Sequence, residues 1–167
     1  TTHLADRQFY RKFYKAFFAV YINWEDINSS WREEKSLFAQ FLMKLINSEY
    51  INIRGGRGRP EILSVGCGIG YIEHILLKSG LIPSQLDILE MDETPLKWIK
   101  KELDENNIHI GTIPNCLTVP KKYDLIYMVA VDYALDKNEF ITFLKNLGER
   151  MSPNGKLVVF TASFNFE

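Results

Sequence analysis

The sequence predicts an α/β fold in which helices cover both faces of a mainly parallel sheet and an α-helical cap precedes the sheet. Two observations support this prediction. From residue 61 onward, short apolar runs alternate with segments whose apolar residues recur at helical spacing. The first run, 61–65, leads into three glycines, Gly66, Gly68 and Gly70, and then into such a helical segment. Strands that alternate with helices form a parallel sheet, and its ligands bind beyond the carboxyl ends of the strands.

The composition is that of an ordinary globular protein and excludes several classes of function. The 167 residues are 46% hydrophobic and 25% charged, with a net charge of −1. This length suffices for one domain with a core, and the charge argues against nucleic acid or an anionic membrane as partner. The three histidines and two cysteines show no ligand spacing, so we expect no metal site. Two free thiols fit a reducing compartment, so we expect the protein to be cytoplasmic.

The first helix is predicted over residues 6–21, where aromatic residues recur every three or four positions. Such a face either covers the sheet or, in part, roofs a substrate pocket, and both interpretations stay open. Tyr10 and Tyr14 are the candidates for the second role, because a phenol brings a polar tip to an apolar wall. The aromatic residues are Phe9, Tyr10, Phe13, Tyr14, Phe17, Phe18 and Tyr21.

A second helix is predicted from Ser30 to about Ser48. Ser30 and Glu33 have the spacing of a capping box, which marks a helix start. The apolar residues expected on one side of this helix are Leu37, Phe38, Phe41, Leu42, Leu45 and Ile46.

These two helices divide the chain into a helical N-terminal cap, residues 1–53, and a ligand-binding domain, residues 54–167, which together form one compact unit. The basic run at 54–60 reads Arg-Gly-Gly-Arg-Gly-Arg-Pro. Glycine and proline clusters between periodic segments are loops, so we interpret this run as a link between cap and domain rather than as a nucleic-acid surface.

Five strands and three helices are predicted in the second part of the chain. The first helix follows the glycines and ends near Lys78. The second opens near Pro95, with Asp92 or Thr94 as its cap, and the third covers 137–151. The strands are predicted at 61–65, 85–90, 108–113, 123–130 and 156–162.

Two features of the predicted sheet indicate a nucleotide-like ligand. The glycines between 66 and 70 allow a sharp turn and let a ligand approach the backbone. Glu90 ends the second strand, 20 residues after Gly70, where its carboxylate can accept both hydroxyl groups of a ribose. Glu90 could instead be a solvated strand-end acid or a helix-cap partner, and Asp92 is the nearby alternative for the ribose.

The spacing of the glycine loop distinguishes two families of cofactor. The dinucleotide fingerprint has its third glycine where this chain has Tyr71, which counts against a nicotinamide-dependent oxidoreductase. The segment Ser64–Tyr71 instead resembles motif I of the class I S-adenosylmethionine-dependent methyltransferases, which have a Rossmann-like fold. A weaker likeness, over Ile62–Ser163, is to histamine N-methyltransferase and related small-amine methyltransferases, in which a glutamate also matches Glu90.

Three further segments between about residues 60 and 162 resemble the same family. Residues 115–120 resemble a run in which an acid accepts from the adenine amino group; Asn115 replaces that acid here. Residues 128–136 resemble the loop that flanks the methionine part of the cofactor and faces the acceptor, and 152–159 resemble a structural turn with the fifth strand. The resemblance implies cofactor contacts from Gly66, Cys67, Gly68, Gly70, Glu90, Met91, Asn115, Cys116, Val129 and Ala130.

The resemblance implies methyl transfer from S-adenosylmethionine, with S-adenosylhomocysteine as product, to a small-molecule acceptor that carries an amine or a hydroxyl group. The protein would mainly hold the reacting atoms in line, and a base is needed only if the acceptor arrives protonated. Asp132, Tyr133 and Tyr14 are the candidates for that base. Two alternatives stay open: a non-catalytic methyltransferase-like binding module or partial domain, and a protein methyltransferase.

The predicted fifth strand lies a few residues before Glu167. The family's sheet has seven strands, the last two forming an antiparallel hairpin beside the fifth, whereas five are predicted here. An unpaired edge invites pairing with another chain. We therefore expect either a longer protein, or an edge that is covered by the second copy of a homodimer or by the N-terminal segment. Because the hairpin supplies much of the family's acceptor pocket, we expect turnover of this chain to be weak or absent.

Overall fold

A computed structural model describes residues 7–48, 58–113, 115–117, 120–131, 135 and 137–161. This part of the chain contains four α-helices and five strands. The helices are α1 (Arg7–Val20), α2 (Ser29–Ile46), α3 (Tyr71–Lys78) and α4 (Lys137–Gly148). The strands are β1 (Ile62–Val65), β2 (Leu86–Glu90), β3 (Ile108–Ile110), β4 (Tyr123–Val129) and β5 (Met151–Phe160).

The five strands form one sheet in the order β3-β2-β1-β4-β5, and each neighbouring pair is parallel. The chain moves outward from β1 to β3 and then crosses back to place β4 on the other side of β1. The switch in strand order therefore lies between β1 and β4, where ligands of such sheets bind. The predicted α/β fold is confirmed.

Helices cover the sheet on both faces, which explains why β1, β2 and most of β4 are buried throughout. Alternate residues of a strand point to opposite faces. Ile62 faces a core shared with α2 and α3, whereas its neighbour Leu63 faces a second core that includes Leu147 of α4. No helix in the described part of the chain has the length and hydrophobicity needed to cross a membrane.

The aromatic helix α1 lies on the surface of the first core. It has no fully buried residue, but the rings of Phe17 and Phe18 pack on Trp98 with centroids 5.9 and 5.0 Å apart. Phe9 and Phe13 are about half exposed, at 44% and 48%. One part of the predicted aromatic face thus covers the core, and the part that carries the tyrosines extends to the site described below.

The helix α2 begins differently from the sequence prediction. Its N-cap is Asn28 rather than Ser30, because the Asn28 side-chain oxygen accepts from the amide of Ser30 at 2.9 Å. Two residues of the predicted apolar side, Leu37 and Phe41, are 62% and 50% exposed. The buried residues of the helix are Ala39 and, from the predicted apolar side, Leu42 and Ile46.

The segment after β2 was predicted as an α-helix but forms two short 3₁₀ turns, Thr94–Lys97 and Ile99–Lys101. Pro95 has no amide hydrogen to donate, and the Asp92 carboxylate accepts the amide of Thr94 at 3.0 Å. Asp92 or Thr94 was predicted to cap this segment, but the N-cap position is Glu93 and no side chain caps it. Asp92 instead closes a local turn with Thr94.

Strand β5 begins earlier than predicted, at Met151 rather than 156. Tyr123 pairs with Met151 and Leu125 pairs with Lys156, so the predicted turn at 152–155 is an irregularity within the ladder. Among the described residues, β5 pairs with β4 alone. Residues 54–57 of the predicted basic loop lie outside the described ranges.

Candidate functional site

The glycine loop between β1 and α3 has a backbone that other residues rarely adopt. Gly66, Gly68 and Gly70 have φ angles of 69°, 55° and 75°. A Cβ atom on Gly70 would lie 2.4 Å from Cβ of Ile99, and one on Gly66 would lie 2.6 Å from a methyl group of Val131. These contacts require glycine at both positions, and they fix the loop against neighbouring elements.

A cavity of about 710 Å³ opens at the carboxyl ends of the central strands. Its wall combines the glycine loop, the ends of β2 and β4, the tyrosines of α1 and one side of α4. The volume falls within the range of small-molecule and cofactor sites, roughly 300–1,000 Å³. The cavity therefore lies where the sequence predicts the ligand.

Glu90 lies in this wall, and its carboxylate is bonded to the glycine loop. The amide of Gly68 donates to Oε2 at 2.9 Å, and the amide of Met91 donates to Oε1 at 2.8 Å. The Tyr10 hydroxyl also donates to Oε1, at 3.0 Å. The residue is only 2% exposed, and burial raises the pKa of Glu90 although these hydrogen bonds favour its ionised form.

The lone pairs of Glu90 limit what else it can bind. A carboxylate offers about four acceptor positions, and three of them are occupied in this structure. Two hydroxyl groups of one ligand would need two positions. The amides of Gly68 and Met91 are fixed by the loop and the strand end, so the Tyr10 hydroxyl is the donor that a ligand can replace.

Two tyrosines one turn apart on α1 roof this part of the cavity. The rings of Tyr10 and Tyr14 meet edge to face, with centroids 4.8 Å apart. The Tyr14 hydroxyl lies 3.2 Å from the place that a Cβ atom on Gly68 would occupy. Burial and the nearby Glu90 carboxylate raise the pKa of Tyr10 far above its ordinary value. Tyr10 is therefore uncharged and acts as a hydrogen-bond donor.

An ion pair holds the same helix to the end of β2. The Arg11 guanidinium lies 2.6 Å from Oδ2 of Asp92. Asp92 is buried, but its hydrogen bonds with Thr94 and Arg11 outweigh that burial and lower the pKa of the carboxyl group. Asp92 is therefore occupied in positioning α1 and the turn after β2.

A second buried acid, Glu73, lies deeper in the same cavity. It belongs to the first turn of α3 and is 1% exposed. The hydroxyl groups of Ser64 and Tyr127 both donate to its Oε1, each at 2.6 Å. Burial raises the pKa of Glu73 above its ordinary value. Sequence reasoning missed these three residues; the available signal was a polar Ser64 and Tyr127 within otherwise apolar strands.

The other half of the cavity has a polar wall on α4 and an aromatic one on α2. Asn138, Thr142 and Asn146 are spaced by four residues, so they share one side of α4, and all three line the cavity. Trp31 and Lys35 line it from α2. This half offers hydrogen-bonding groups and an aromatic surface to a second, polar molecule.

Most of the residues that were predicted to contact a cofactor line this cavity, and so does the base candidate Tyr14. Val131 and Leu135, at two positions of the predicted acceptor loop, line it as well. Asp132 and Tyr133, the other base candidates, lie outside the described residues. The predicted residues in the wall are Tyr14, Gly66, Cys67, Gly68, Glu90, Met91, Val129 and Ala130, whereas the predicted Gly70 is not among the wall residues.

The structure does not bring Asn115 or Cys116 into the described wall of the cavity. The amides of both residues donate to the Thr112 carbonyl, at 2.9 and 3.2 Å. This turn carries Asn115 to an exposed position, and it packs Cys116 against the second core. At this point of the chain the wall consists of Gly111, Thr112 and Ile113.

The described residues show no nucleophile or metal centre in the cavity. Burial and the nearby Glu73 raise the pKa of the Cys67 thiol well above its ordinary value, so this thiol does not ionise near neutral pH. Within the described ranges, no group of three or more histidine, cysteine or acidic side chains is placed to hold a metal ion. The polar side chains of the described wall are the acids Glu73, Glu90 and Glu139, Lys35, and several hydroxyl and amide groups.

Comparison with solved structures identifies the fold. The glycopeptide N-methyltransferase MtfA with sinefungin has a TM-score of 0.55 and 13% identity, over 75% of this chain and 53% of that one. DhpI in a complex with SAM has a TM-score of 0.61 and 15% identity, and the match covers 99% of this chain and 70% of DhpI. The PH0226 protein from Pyrococcus horikoshii OT3 has a TM-score of 0.65 and 15% identity, and the match covers 90% of this chain and 63% of PH0226. No protein-family model matches the chain, and no curated protein matches it.

These likenesses show that the chain has the class I S-adenosylmethionine-dependent methyltransferase fold, as the glycine loop predicted. Identities of 13–17% establish the fold alone. The chain spans about half the length of the MtfA structures, between 47% and 53%.

Proposed function

We propose that the chain binds S-adenosylmethionine at the carboxyl end of its sheet and transfers the methyl group to a small-molecule acceptor, an amine or a hydroxyl. The observation that carries this proposal is the buried Glu90 carboxylate bonded to the amide of Gly68. An acid at the end of β2, beside a glycine loop, is suited to the ribose of an adenosine ligand. Structural neighbours with this fold were solved with SAM, S-adenosylhomocysteine or sinefungin.

The residues of the cavity fit this cofactor. Glu90 would hold the ribose once Tyr10 releases it, and the glycine loop would lie against the middle of the ligand. Gly111 and Ile113, after β3, would contact the adenine, a role that the sequence resemblance gave to Asn115 and Cys116. A positive φ of 52° at Ala130 turns the chain at the end of β4, where the cavity wall continues.

When bound, the cofactor supplies a methyl group that is already activated for displacement. The chain then has to place the acceptor in line with that methyl group and exclude water. Tyr10 and Tyr14 close one side, and the polar side of α4 offers positions for the acceptor's hydrogen bonds. Asp132 and Tyr133 remain the proposed bases for an acceptor that arrives protonated, together with Tyr14.

The size and charge of the site support a small acceptor. The cavity of about 710 Å³ has to hold the cofactor as well, and the chain's net charge of −1 argues against bulk electrostatic binding of nucleic acid. We also propose that a second copy of the chain pairs with the outer edge of β5. A non-catalytic binding module and a protein methyltransferase are the alternatives that an activity screen distinguishes.

A ligand screen tests the cofactor before any acceptor is known. S-adenosylhomocysteine at 100 times its dissociation constant stabilises the fold by about 2.7 kcal/mol, which should raise Tm by roughly 5–10 °C. NAD at the same concentration should leave Tm unchanged.

Calorimetric titration tests the role of Glu90. Glu90→Gln should weaken the binding of S-adenosylhomocysteine about 10- to 100-fold, since hydrogen bonds to a charged group are lost. The control Asp104→Asn, at an exposed position, should bind like the parent. A Tm shift with NAD alone would refute the proposal.

A further inference from the structure

Glu73 is a buried acid for which the described residues provide no counter-charge. Its carboxyl group lines the cavity and is 1% exposed. The ion pairs of the described residues join other groups. Taking a carboxylate out of water costs several kcal/mol unless a cation or several donors compensate it. Such an acid in a cavity is a candidate for binding a cationic part of a ligand.

The position of Glu73 follows from the register of the sheet. Ser64 of β1 and Tyr127 of β4 are directly paired in the parallel ladder, so their hydroxyl groups meet on the same face beneath α3. Both donate to Oε1 of Glu73. Apart from these hydroxyl groups and its own amide, no described residue donates to this carboxyl group. Oε1 is thus fixed at the switch between β1 and β4.

The two buried acids of the cavity, Glu73 and Glu90, lie on either side of the glycine loop. Glu90 ends β2, whereas Glu73 is held between β1 and β4, so one to two strand spacings separate them across the sheet, roughly 5–10 Å. A ligand whose ribose binds Glu90 and which crosses the loop toward β4 would bring its far end to Glu73. In S-adenosylmethionine that end is an amino acid, which carries an ammonium group.

We propose that Glu73 binds the α-ammonium group of S-adenosylmethionine and makes the site specific for ligands that keep this group. The inference rests on the proposed function. It assigns the two acids different parts of one ligand: Glu90 takes the neutral ribose, and Glu73 takes the cation. Ser64 and Tyr127 are positioning residues, since they hold Oε1 and leave the rest of the carboxyl group to the ligand.

Binding should also move a proton. Burial raises the pKa of Glu73 in the free protein, and an ammonium group beside it lowers that pKa again. At a pH between the pKa of Glu73 in the bound protein and its pKa in the free protein, binding of the ammonium group therefore releases a proton from Glu73. A ligand without this group should release none from Glu73.

Calorimetry with two ligands tests this inference. S-adenosylhomocysteine carries the ammonium group, and 5′-methylthioadenosine keeps the adenosine but lacks the amino acid. Glu73→Gln retains the size of the side chain and an oxygen for Ser64 and Tyr127. We expect it to weaken S-adenosylhomocysteine about 10- to 100-fold and to leave 5′-methylthioadenosine within about twofold. The matched control Glu61→Gln, at the amino end of the sheet, should leave both ligands unchanged.

The outcomes separate this inference from the proposed function. If the parent protein binds neither ligand, the proposed function fails and the inference fails with it. If the parent binds both, and Glu73→Gln leaves both unchanged or weakens both equally, the inference alone is overturned. Titrations of the parent in two buffers of different ionisation enthalpy do not depend on the variant's folding. Proton release with S-adenosylhomocysteine but not with 5′-methylthioadenosine supports the inference, and equal release with both refutes it.

Discussion

The hydroxyl group of Tyr10 donates to Oε1 of Glu90 at 3.0 Å, so the roof of the cavity occupies an acceptor position on the acid beneath it. Two backbone amides already use this carboxylate. Any ligand that needs two positions on Glu90 must therefore displace Tyr10. The predicted roof and the predicted ribose site, which were separate expectations from the sequence, compete for the same atoms.

Removing this competition should strengthen ligand binding. In Tyr10→Phe the ring stays in the roof but the hydrogen bond to Glu90 is lost, which is worth about 1 kcal/mol net. We expect S-adenosylhomocysteine to bind roughly 3- to 10-fold more tightly in calorimetric titration. The control Phe13→Leu changes an exposed ring of the same helix and should have no effect. Weaker binding by Tyr10→Phe would mean that Tyr10 holds the ligand together with Glu90.

Gly70 should be far less tolerant of a side chain than Gly80, although both have positive φ. Gly80→Ala, at φ 103° with no atom within 4 Å, should cost only the backbone strain of about 1–2 kcal/mol. Gly70→Ala adds a clash with Ile99 at 2.4 Å, worth a further 1–3 kcal/mol or so. Urea unfolding measures both variants. Equal losses of stability would contradict the packing of the loop on Ile99.

A buried carboxylate at the opposite end of the sheet should make the fold sensitive to acid. Asp87 is 2% exposed. Burial opposes its ionisation, but four hydrogen bonds outweigh it and lower the pKa of Asp87 to about 2, from an ordinary value of 3.8. The donors are Asn107, His109, Lys121 and Tyr123.

Because the pKa of Asp87 is lowered on folding, its ionisation stabilises the fold above about pH 4, and this contribution is lost as pH falls toward 2. The shift corresponds to about 2 kcal/mol. Asp87→Asn should therefore be less stable than the parent by about that amount or more at pH 7, and the difference should shrink toward pH 2. Urea unfolding across pH 2–7 measures it, with Asp104→Asn as the exposed control. A difference that does not change with pH would contradict the lowered pKa.

The helix α1 should detach when its two polar ties to β2 are removed. Arg11 pairs with Asp92 at 2.6 Å, and Tyr10 is bonded to Glu90. The double variant Tyr10→Phe with Arg11→Ala keeps the aromatic packing of Phe17 and Phe18 but loses both ties. We expect trypsin to cleave α1 several-fold faster than in the parent, as followed by mass spectrometry. Lys12→Ala, which removes an exposed charge next to Arg11, should leave cleavage at the remaining sites unchanged.

Periodicity and turn residues were sufficient to predict the elements that form the site. The glycines and the apolar run before them placed β1 and α3 correctly, and the distance from Gly70 placed Glu90 at the end of β2. These features depend on residues near one another in sequence. The start of α2 was wrong because two adjacent polar residues, Asn28 and Ser30, can both cap a helix, and only the Asn28 side chain reaches the free amides.

The features that sequence reasoning missed depend on which strands become neighbours. Glu73 falls among apolar residues of a short helix, and nothing nearby in sequence shows which way it faces. Its role becomes visible only when β1 and β4 are paired, because that pairing brings Ser64 and Tyr127 to one carboxyl oxygen. Asn115 differs for a local reason: the sequence resemblance placed it beside the adenine, whereas a turn on the Thr112 carbonyl puts it at an exposed position.

The position of α1 has a consequence for how fast a ligand can bind. Glu90 is 2% exposed beneath a helix that has no buried residue of its own. A ligand that uses two positions on the carboxylate binds fully only after the Tyr10 hydrogen bond has opened, so association includes a step that does not depend on ligand concentration. In stopped-flow measurements the observed rate should then rise with concentration only to a plateau. The height of that plateau is the rate at which the Tyr10 hydrogen bond opens, so a residue of the surface helix α1 limits how fast the ligand can bind.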